Sequence, residues 1–97
     1  MIGVFVLERE MGCTRAEFER WLPGATDQAP ARLEDGELAL SVRGGQVCIS
    51  LCEKAPRRIA LLSLPVLAVR FRFIGLSEAA RERFVARFDD YTRRGGG

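Results

Sequence analysis

The sequence predicts an α+β domain, in which an antiparallel sheet of about five strands packs both of its helices against one face. A hairpin pattern fills residues 37–53, and further apolar runs rich in β-branched and aromatic residues lie on either side of it. Two amphipathic helix patterns begin after Thr14 and after Ser77. The predicted order is β-α-β-β-β-β-α, and consecutive strands without alternating helices favour an antiparallel sheet with segregated helices.

The length of the chain predicts one domain. Its 97 residues are 47% hydrophobic and 29% charged, which is a balance typical of globular proteins. We place the domain at residues 1–94 and a flexible glycine tail at residues 95–97. A domain of this size buries only about 60–65% of the surface that its unfolded chain exposes, so a second copy could supply further burial.

The N-terminal residues 1–7, MIGVFVL, form a continuous apolar run of β-branched and aromatic residues. Such a run is typical of a strand that is covered on both faces, so we expect it to be a central strand of the sheet.

A short helix is expected next. Thr14 and Glu17 have the spacing of a capping box, and Cys13 and Phe18 occupy the two positions of a hydrophobic staple. Pro23-Gly24 is expected to end the helix. Residues 23–36 are rich in Pro, Gly, Asp and Gln, and this composition predicts a long loop.

Gly44-Gly45 predicts the turn of a hairpin, because alternating residues flank it on both sides. With this turn Arg43 pairs with Gln46 and Leu40 pairs with Ile49, so the large apolar side chains fall on one face. The opposite face carries smaller side chains, namely Ala39, Ser41, Cys48, Ser50 and Cys52.

Two further strands are expected at residues 59–64 and 66–74, because Pro65 argues against one uninterrupted central strand. In the second run, large apolar residues alternate with smaller or basic ones. The large set is Leu67, Val69, Phe71 and Phe73, and the other set is Ala68, Arg70 and Arg72. This alternation predicts a half-buried strand with an arginine-bearing open face.

The last helix is expected to follow Ser77, which can cap it, with Glu78 in its first turn. Its apolar stripe comprises Ala80, Phe84, Val85, Phe88 and Tyr91. Arg93 and Arg94 suit the negative end of the helix dipole, and Gly95 suits the position after the last turn. By analogy of topology alone, the same order of elements occurs in one repeat of the TATA-binding-protein-like fold and, with insertions, in the helix-grip fold.

The composition argues against catalysis. The chain has no His, which is the commonest general base and metal ligand in proteins. No phosphate-loop, nucleophile or dinucleotide motif is present. We therefore expect a non-enzymatic protein with no catalytic residue, no metal and no cofactor, and we interpret the acidic cluster Glu34, Asp35 and Glu37 as a solvated loop.

The three cysteines predict a reducing environment, since an odd number without a dense framework favours the cytoplasm over secretion. Cys48 and Cys52 on one strand stand about 13 Å apart, which is too far for a disulfide. Small apolar filler on the sheet face is the default interpretation. A reactive thiolate beside Arg70 or Arg72 is the alternative, because positive charge lowers the pKa of a thiol.

The open face of the predicted sheet is the candidate binding surface. Its binding residues are Ser41, Arg43, Ser50, Arg70 and Arg72. A flat face of small residues suits sheet-on-sheet association, so a protein partner or a second copy is the leading hypothesis, beside that of an ordinary solvated face. Binding of an anionic ligand or RNA through Arg43, Arg70 and Arg72 is a second hypothesis, although the net charge of +2 does not by itself indicate nucleic acid.

The C-terminal residues 91–97, YTRRGGG, raise a third hypothesis. A terminal diglycine is the modified group of ubiquitin-like carrier proteins, so Gly96-Gly97 could serve the same purpose. Here the glycines follow a helix rather than a strand, and a frayed helix end explains them as well. No apolar run approaches the roughly 20 residues of a membrane-spanning helix, so no membrane partner is expected.

Overall fold

The computed structural model describes residues 3–93, and it confirms the α+β fold with five antiparallel strands, two helices and the predicted order of elements. The elements are β1 (Val4–Met11), α1 (Arg15–Thr26), β2 (Ala31–Arg32), β3 (Leu38–Val42), β4 (Gly45–Ile59), β5 (Leu62–Ile74) and α2 (Glu78–Tyr91). Met1 and Ile2 of the predicted first strand, together with Arg94 and the glycines at 95–97, lie outside the described residues.

The sheet has the strand order β1-β5-β4-β3-β2, and neighbouring strands are antiparallel. Both helices pack on one face of it around a cluster of phenylalanines. Phe88 of α2 contacts Phe18 of α1 and Phe71 of β5, with ring centroids 5.5 and 5.4 Å apart. Phe73 of β5 contacts Phe84 of α2 at 5.7 Å. The core therefore lies between the helices and the odd-numbered residues of β5.

The sequence predicted a central position for the first strand, and this prediction is wrong. β1 lies at an edge of the sheet. β1 pairs with β5 alone, so its outer backbone edge is unpaired within residues 3–93. Val4, Phe5 and Val6 are accordingly exposed. Phe5 is partly covered by Arg81 of α2, whose guanidinium carbon lies 4.1 Å from the ring centroid. An apolar run alone does not distinguish a covered strand from an exposed one.

The start of α1 is as predicted. The amide of Glu17 donates to the Thr14 hydroxyl at 3.1 Å, and the amide of Thr14 donates to the Glu17 carboxylate at 2.9 Å. Cys13 and Phe18 are both buried in the core cluster. The capping box and its apolar pair therefore fix how the chain enters the helix.

The end of α1 differs from the prediction, because the helix continues through Pro23 to Thr26. Its cap is Asp27, which has a left-handed φ of 60°. Gly24 packs against α2, since a β-carbon at this position would lie 2.6 Å from Cζ of Tyr91. Pro23-Gly24 is therefore a close contact between helices rather than a stop signal.

The predicted loop at residues 23–36 contains two unpredicted pieces of regular structure. Its first residues belong to α1, and Ala31–Arg32 form the short edge strand β2. Ala31 pairs with Ala39 of β3. A two-residue strand carries no periodicity in the sequence, so only its neighbour in the sheet reveals it.

The hairpin of β3 and β4 has the predicted faces but a different turn. Val42 pairs with Gly45 and Leu40 pairs with Val47, so the predicted pairing of Arg43 with Gln46 is wrong. The turn residues are Arg43 and Gly44, with φ of 47° and 81°. Gly45 instead begins β4, where a β-carbon would lie 2.5 Å from the carbonyl oxygen of Ile74. The second glycine is therefore required by close packing rather than by the turn.

The sequence predicted that Pro65 separates two strands, and this prediction is wrong, because Pro65 lies inside β5. The β4–β5 ladder is irregular opposite it, since Lys54 pairs with Val66 whereas Arg57 pairs with Leu64. Proline has no backbone N–H to donate to the ladder, and the bulge accommodates it because no regular pairing is required at this position. The predicted separate strand at residues 59–64 is instead the end of a long hairpin, in which Ile59 ends β4, Ala60 and Leu61 form the turn, and residues 62–64 begin β5.

The last helix begins as predicted, with the Ser77 hydroxyl accepting a hydrogen bond from the amide of Ala80 at 3.1 Å. Phe88 is buried, whereas Tyr91 at the end of the stripe is 40% exposed. The C-cap is Thr92. The predicted end at Gly95 lies outside the described residues.

Candidate functional site

The sheet face opposite the helices is the candidate functional surface, and we call it the open sheet face. Strand alternation and cross-strand pairing define its members. They are Val4, Val6, Glu8, Glu10, Ala39, Ser41, Gln46, Cys48, Ser50, Cys52, Lys54, Val66, Ala68, Arg70, Arg72 and Ile74. No element within residues 3–93 packs over this face.

Cross-strand ion pairs neutralise most of the charge on this face. Arg70 donates to Glu8 of β1, with Nε to Oε2 at 2.8 Å. Arg72 donates to Glu37, which precedes β3, with Nη2 to Oε1 at 2.6 Å. Both arginines therefore have carboxylate partners, which weakens their attraction for an external anion.

Glu37 is the best-held carboxylate of the surface. It accepts hydrogen bonds from the Ser50 hydroxyl and from Arg72. These two bonds, in that order, lower the pKa of Glu37 below its ordinary value. The same pair raises the pKa of Arg72. Glu37 thus joins β3, β4 and β5 through one side chain, a role that its position in an acidic loop did not reveal.

The predicted binding residues divide into two groups. Ser50, Arg70 and Arg72 lie together on the open sheet face. Arg43 does not belong to that face, because it occupies the turn between β3 and β4. Ser41 lies near this turn, where the Gln28 side chain bonds both its amide and its carbonyl, at 3.2 and 2.8 Å. The predicted arginine trio is therefore not one site.

The cysteines are all free, as the strand spacing predicted for Cys48 and Cys52. Cys13 and Cys48 are buried, and burial raises the pKa of Cys13 to about 11. Burial also raises the pKa of Cys48, and this effect exceeds the opposing effect of Arg72. Cys48 is therefore not the reactive thiolate that the sequence left open. Cys52 is exposed near the centre of the open sheet face.

The centre of the open sheet face is a shallow concavity of about 530 Å³. Small side chains form its floor, and charged side chains stand around it. The floor includes Ser50, Cys52 and Ala68, and the rim includes Glu8, Glu10, Lys54 and Arg70. This shape admits another protein surface more readily than it encloses a small molecule.

The hairpin of residues 54–66 extends the face beyond the rest of the sheet, and we call this hairpin the arm. β1 ends at Met11, which pairs with Leu67, so within residues 3–93 the arm consists of β4 and β5 alone. The radius of gyration is 13.9 Å, against roughly 12.5 Å for a compact domain of this length. The longest dimension is 50 Å, and the other two are 28 and 21 Å.

Apolar side chains dominate the arm. Ile59, Leu62 and Leu64 are exposed and lie on the side that continues the open sheet face, and Leu61 at the tip is fully exposed. A two-stranded hairpin with exposed apolar residues is marginally stable by itself. The sequence does not reveal the arm, because a proline usually marks a break in a strand; the apolar turn IALL is the one signal of it.

Across residues 3–93, no group of three or more His, Cys, Asp or Glu side chains could hold a metal ion. Over the same range, no helix combines the length and the apolar character needed to cross a membrane.

Comparison of the chain with family models, with curated proteins and with solved structures finds no match. What the protein does must therefore be inferred from its own surfaces.

Proposed function

We propose that this protein is a small cytoplasmic, non-enzymatic binding module that works as a homodimer, with the open sheet face and the arm as the interface. The carrying observation is the apolar strip of Ile59, Leu62 and Leu64, which continues the open sheet face and ends at the exposed Leu61. Contiguous exposed apolar surface of this kind marks interaction sites.

The arrangement of apolar residues favours a second copy as the partner. Leu62 and Leu64 precede Ala68 by six and four residues, and Ile74 and Arg72 follow it by six and four. Val4 stands opposite Ile74 and Val6 opposite Arg72. A two-fold axis that crosses the strands beside Ala68 therefore places Leu62 of one copy over Ile74 of the other, next to Val4, and an interface of this symmetry is self-complementary.

Charge and size support the same partner. The pairs Glu8–Arg70 and Glu10–Arg57 leave little net charge to repel a second copy. The 13 residues of β5 span roughly 44 Å, so the face of β1, β5 and β4 covers roughly 600 Å² in projection. A standard interface takes about 800 Å² of accessible surface per partner, so the extent of this face is comparable with that of a stable interface.

The cytoplasmic and non-enzymatic parts of the proposal depend on the side chains present. The three cysteines are free, two of them are buried with raised pKa values, and the chain has no His. A free exposed Cys52 is compatible with a reducing compartment.

Light scattering after gel filtration tests the interface with two matched variants. Leu62→Glu places a charge on the open side of the arm, whereas Ser63→Glu places the same charge on the opposite side of the same strand. We expect Leu62→Glu to yield monomers and Ser63→Glu to leave the dimer unchanged. Equal masses for the two variants would exclude the open side of the arm from the interface.

A further inference from the structure

A second concavity lies on the helix side of the molecule, between the end of α1, the β3–β4 turn and the middle of α2. Its volume is about 480 Å³, within the 300–1,000 Å³ typical of small-molecule sites. We call it the arginine cleft. Its lining residues are Ala25, Thr26, Gln28, Ser41, Val42, Arg43, Ala80, Arg83, Phe84, Ala86 and Arg87.

The cleft concentrates arginines that have no carboxylate partner. Within residues 3–93, the arginines in no ion pair and in no ring contact are Arg20, Arg43, Arg58, Arg83 and Arg87. Three of these five line this one cleft, and no acidic residue lines it. This is the reverse of the open sheet face, where Arg70 and Arg72 already hold carboxylates.

The turn conformation of Arg43 supports a role in binding. Its φ is 47°, at a turn position where Asn or Gly is favoured. An arginine with left-handed backbone costs roughly 1 kcal/mol relative to those residues. Backbone strain of this kind is often retained where the side chain serves a function.

The remaining lining is apolar and fixed in place. Ala25 and Ala80 are buried, and Val42 and Phe84 are half-buried. The Gln28 side chain holds the strand beside the cleft through its two bonds to Ser41. The lining therefore combines a partly buried apolar floor with three exposed cationic side chains, which suits an anionic group joined to an apolar body.

We propose that the arginine cleft binds a small molecule that carries a phosphate or a carboxylate on an apolar body. The anionic group meets the guanidinium groups of Arg43, Arg83 and Arg87, and the apolar body lies on Phe84. This site lies at the β3–β4 turn and shares only Ser41 with the open sheet face, whereas the proposed dimer is centred on Ala68, so the site does not depend on that dimer.

Titrations followed by ¹⁵N NMR of the full chain test this proposal with three probes. The probes are 1-naphthyl phosphate, 1-naphthoate and 1-naphthol, which share one apolar body and differ in their polar group. We expect the two anions to shift the amides around Val42, Arg43 and Phe84, and 1-naphthol to bind at least ten-fold more weakly. A preference between the anions identifies the natural polar group.

Charge-removing variants assign the site. Arg83→Gln/Arg87→Gln is expected to weaken binding of the preferred anion at least ten-fold, and Arg43→Asn several-fold, because Asn suits the left-handed turn. Arg20→Gln on the exposed side of α1 is the matched control and leaves binding unchanged. Since Gln is a good helix former, the double variant keeps α2 intact, as circular dichroism can verify.

Three results would overturn the proposal. They are equal binding of 1-naphthol and the anions, unchanged affinity of the double variant, and amide shifts confined to the open sheet face or the arm. If a short single-stranded RNA binds more tightly than 1-naphthyl phosphate, the cleft is a nucleic-acid site rather than a small-molecule site.

Discussion

Cys52 lies directly opposite Ala68 in the ladder between β4 and β5, and both residues belong to the open sheet face. Ala68 is the residue about which the apolar side chains of the arm and of β1 are evenly placed. In the proposed homodimer, the two Cys52 thiols are therefore expected near the two-fold axis. Because the other two cysteines are buried, Cys52 is a natural reporter of the interface.

The first prediction concerns cross-linking through Cys52. Packed sheets lie about 10 Å apart, whereas a disulfide needs α-carbons within about 7 Å, so a short bismaleimide is a better reagent than an oxidant. We expect it to convert most of the protein to a covalent dimer, as measured by denaturing electrophoresis and intact mass.

Random collision between chains could also produce a covalent dimer. A variant with its exposed thiol moved to another surface controls for this. Cys52→Ser/Ala79→Cys carries its exposed thiol on α2, away from the open sheet face. We expect this variant to cross-link poorly at the same concentration. Equal yields from the two proteins would argue for collision.

The second prediction concerns the turn of the arm. Ala60 has a φ of 54°, a left-handed conformation that glycine adopts without cost. We expect Ala60→Gly to stabilise the monomer by about 1 kcal/mol, measured by urea unfolding of the Leu62→Glu background. Gly44→Ala, at a φ of 81° in the other turn, is expected to destabilise it by a similar amount. Loss of stability in Ala60→Gly would mean that Ala60 is not left-handed in solution.

The third prediction concerns the acid dependence of stability. Since the pKa of Glu37 is lowered on folding, its contribution is complete above the ordinary value of 4.5 and is lost as the pH falls through the folded value. Glu37→Gln is expected to cost about 1–2 kcal/mol at neutral pH, because it removes a charged hydrogen-bond partner of a partly exposed arginine.

In urea unfolding, the difference between Glu37→Gln and the natural protein should therefore stay constant from about pH 7 down to about pH 5, and shrink as the pH falls from 4.5 toward about pH 3. Glu34→Gln in the neighbouring loop is the control, for which we expect no effect of that size. A difference that stays constant with pH would mean that Glu37 is not held as a carboxylate.

The fourth prediction concerns the contact between the helices. Alanine is a better helix former than glycine by about 1 kcal/mol, yet we expect Gly24→Ala to destabilise the protein, because its β-carbon collides with Tyr91. In a Tyr91→Ala background the same change should become stabilising by up to about 1 kcal/mol. A double-mutant cycle on thermal unfolding measures this reversal, and additive effects would mean that the two residues do not touch.

Local signals in the sequence predicted much of this fold. The capping box of Thr14 and Glu17, the cap at Ser77 and the two faces of the β3–β4 hairpin are fixed by residues a few positions apart. The open sheet face followed from the same alternation, and Ser50, Arg70 and Arg72 lie on it.

The misplaced features depend on contacts between distant residues. Gly45 was assigned to the turn because its approach to Ile74 is not visible in the sequence. Pro65 was interpreted as a break because the bulge that accommodates it lies in another strand. The ion pairs of Arg70 and Arg72 with Glu8 and Glu37 also join residues far apart in the chain, so the sequence does not reveal these carboxylate partners.

Sedimentation equilibrium of the natural sequence tests the central claim of self-association most directly. One chain has a mass of 10.8 kDa. We expect the apparent mass to approach twice this value as the protein concentration rises, and to return to that of one chain for Leu62→Glu. A mass of 10.8 kDa at every concentration up to the solubility limit would contradict the homodimer.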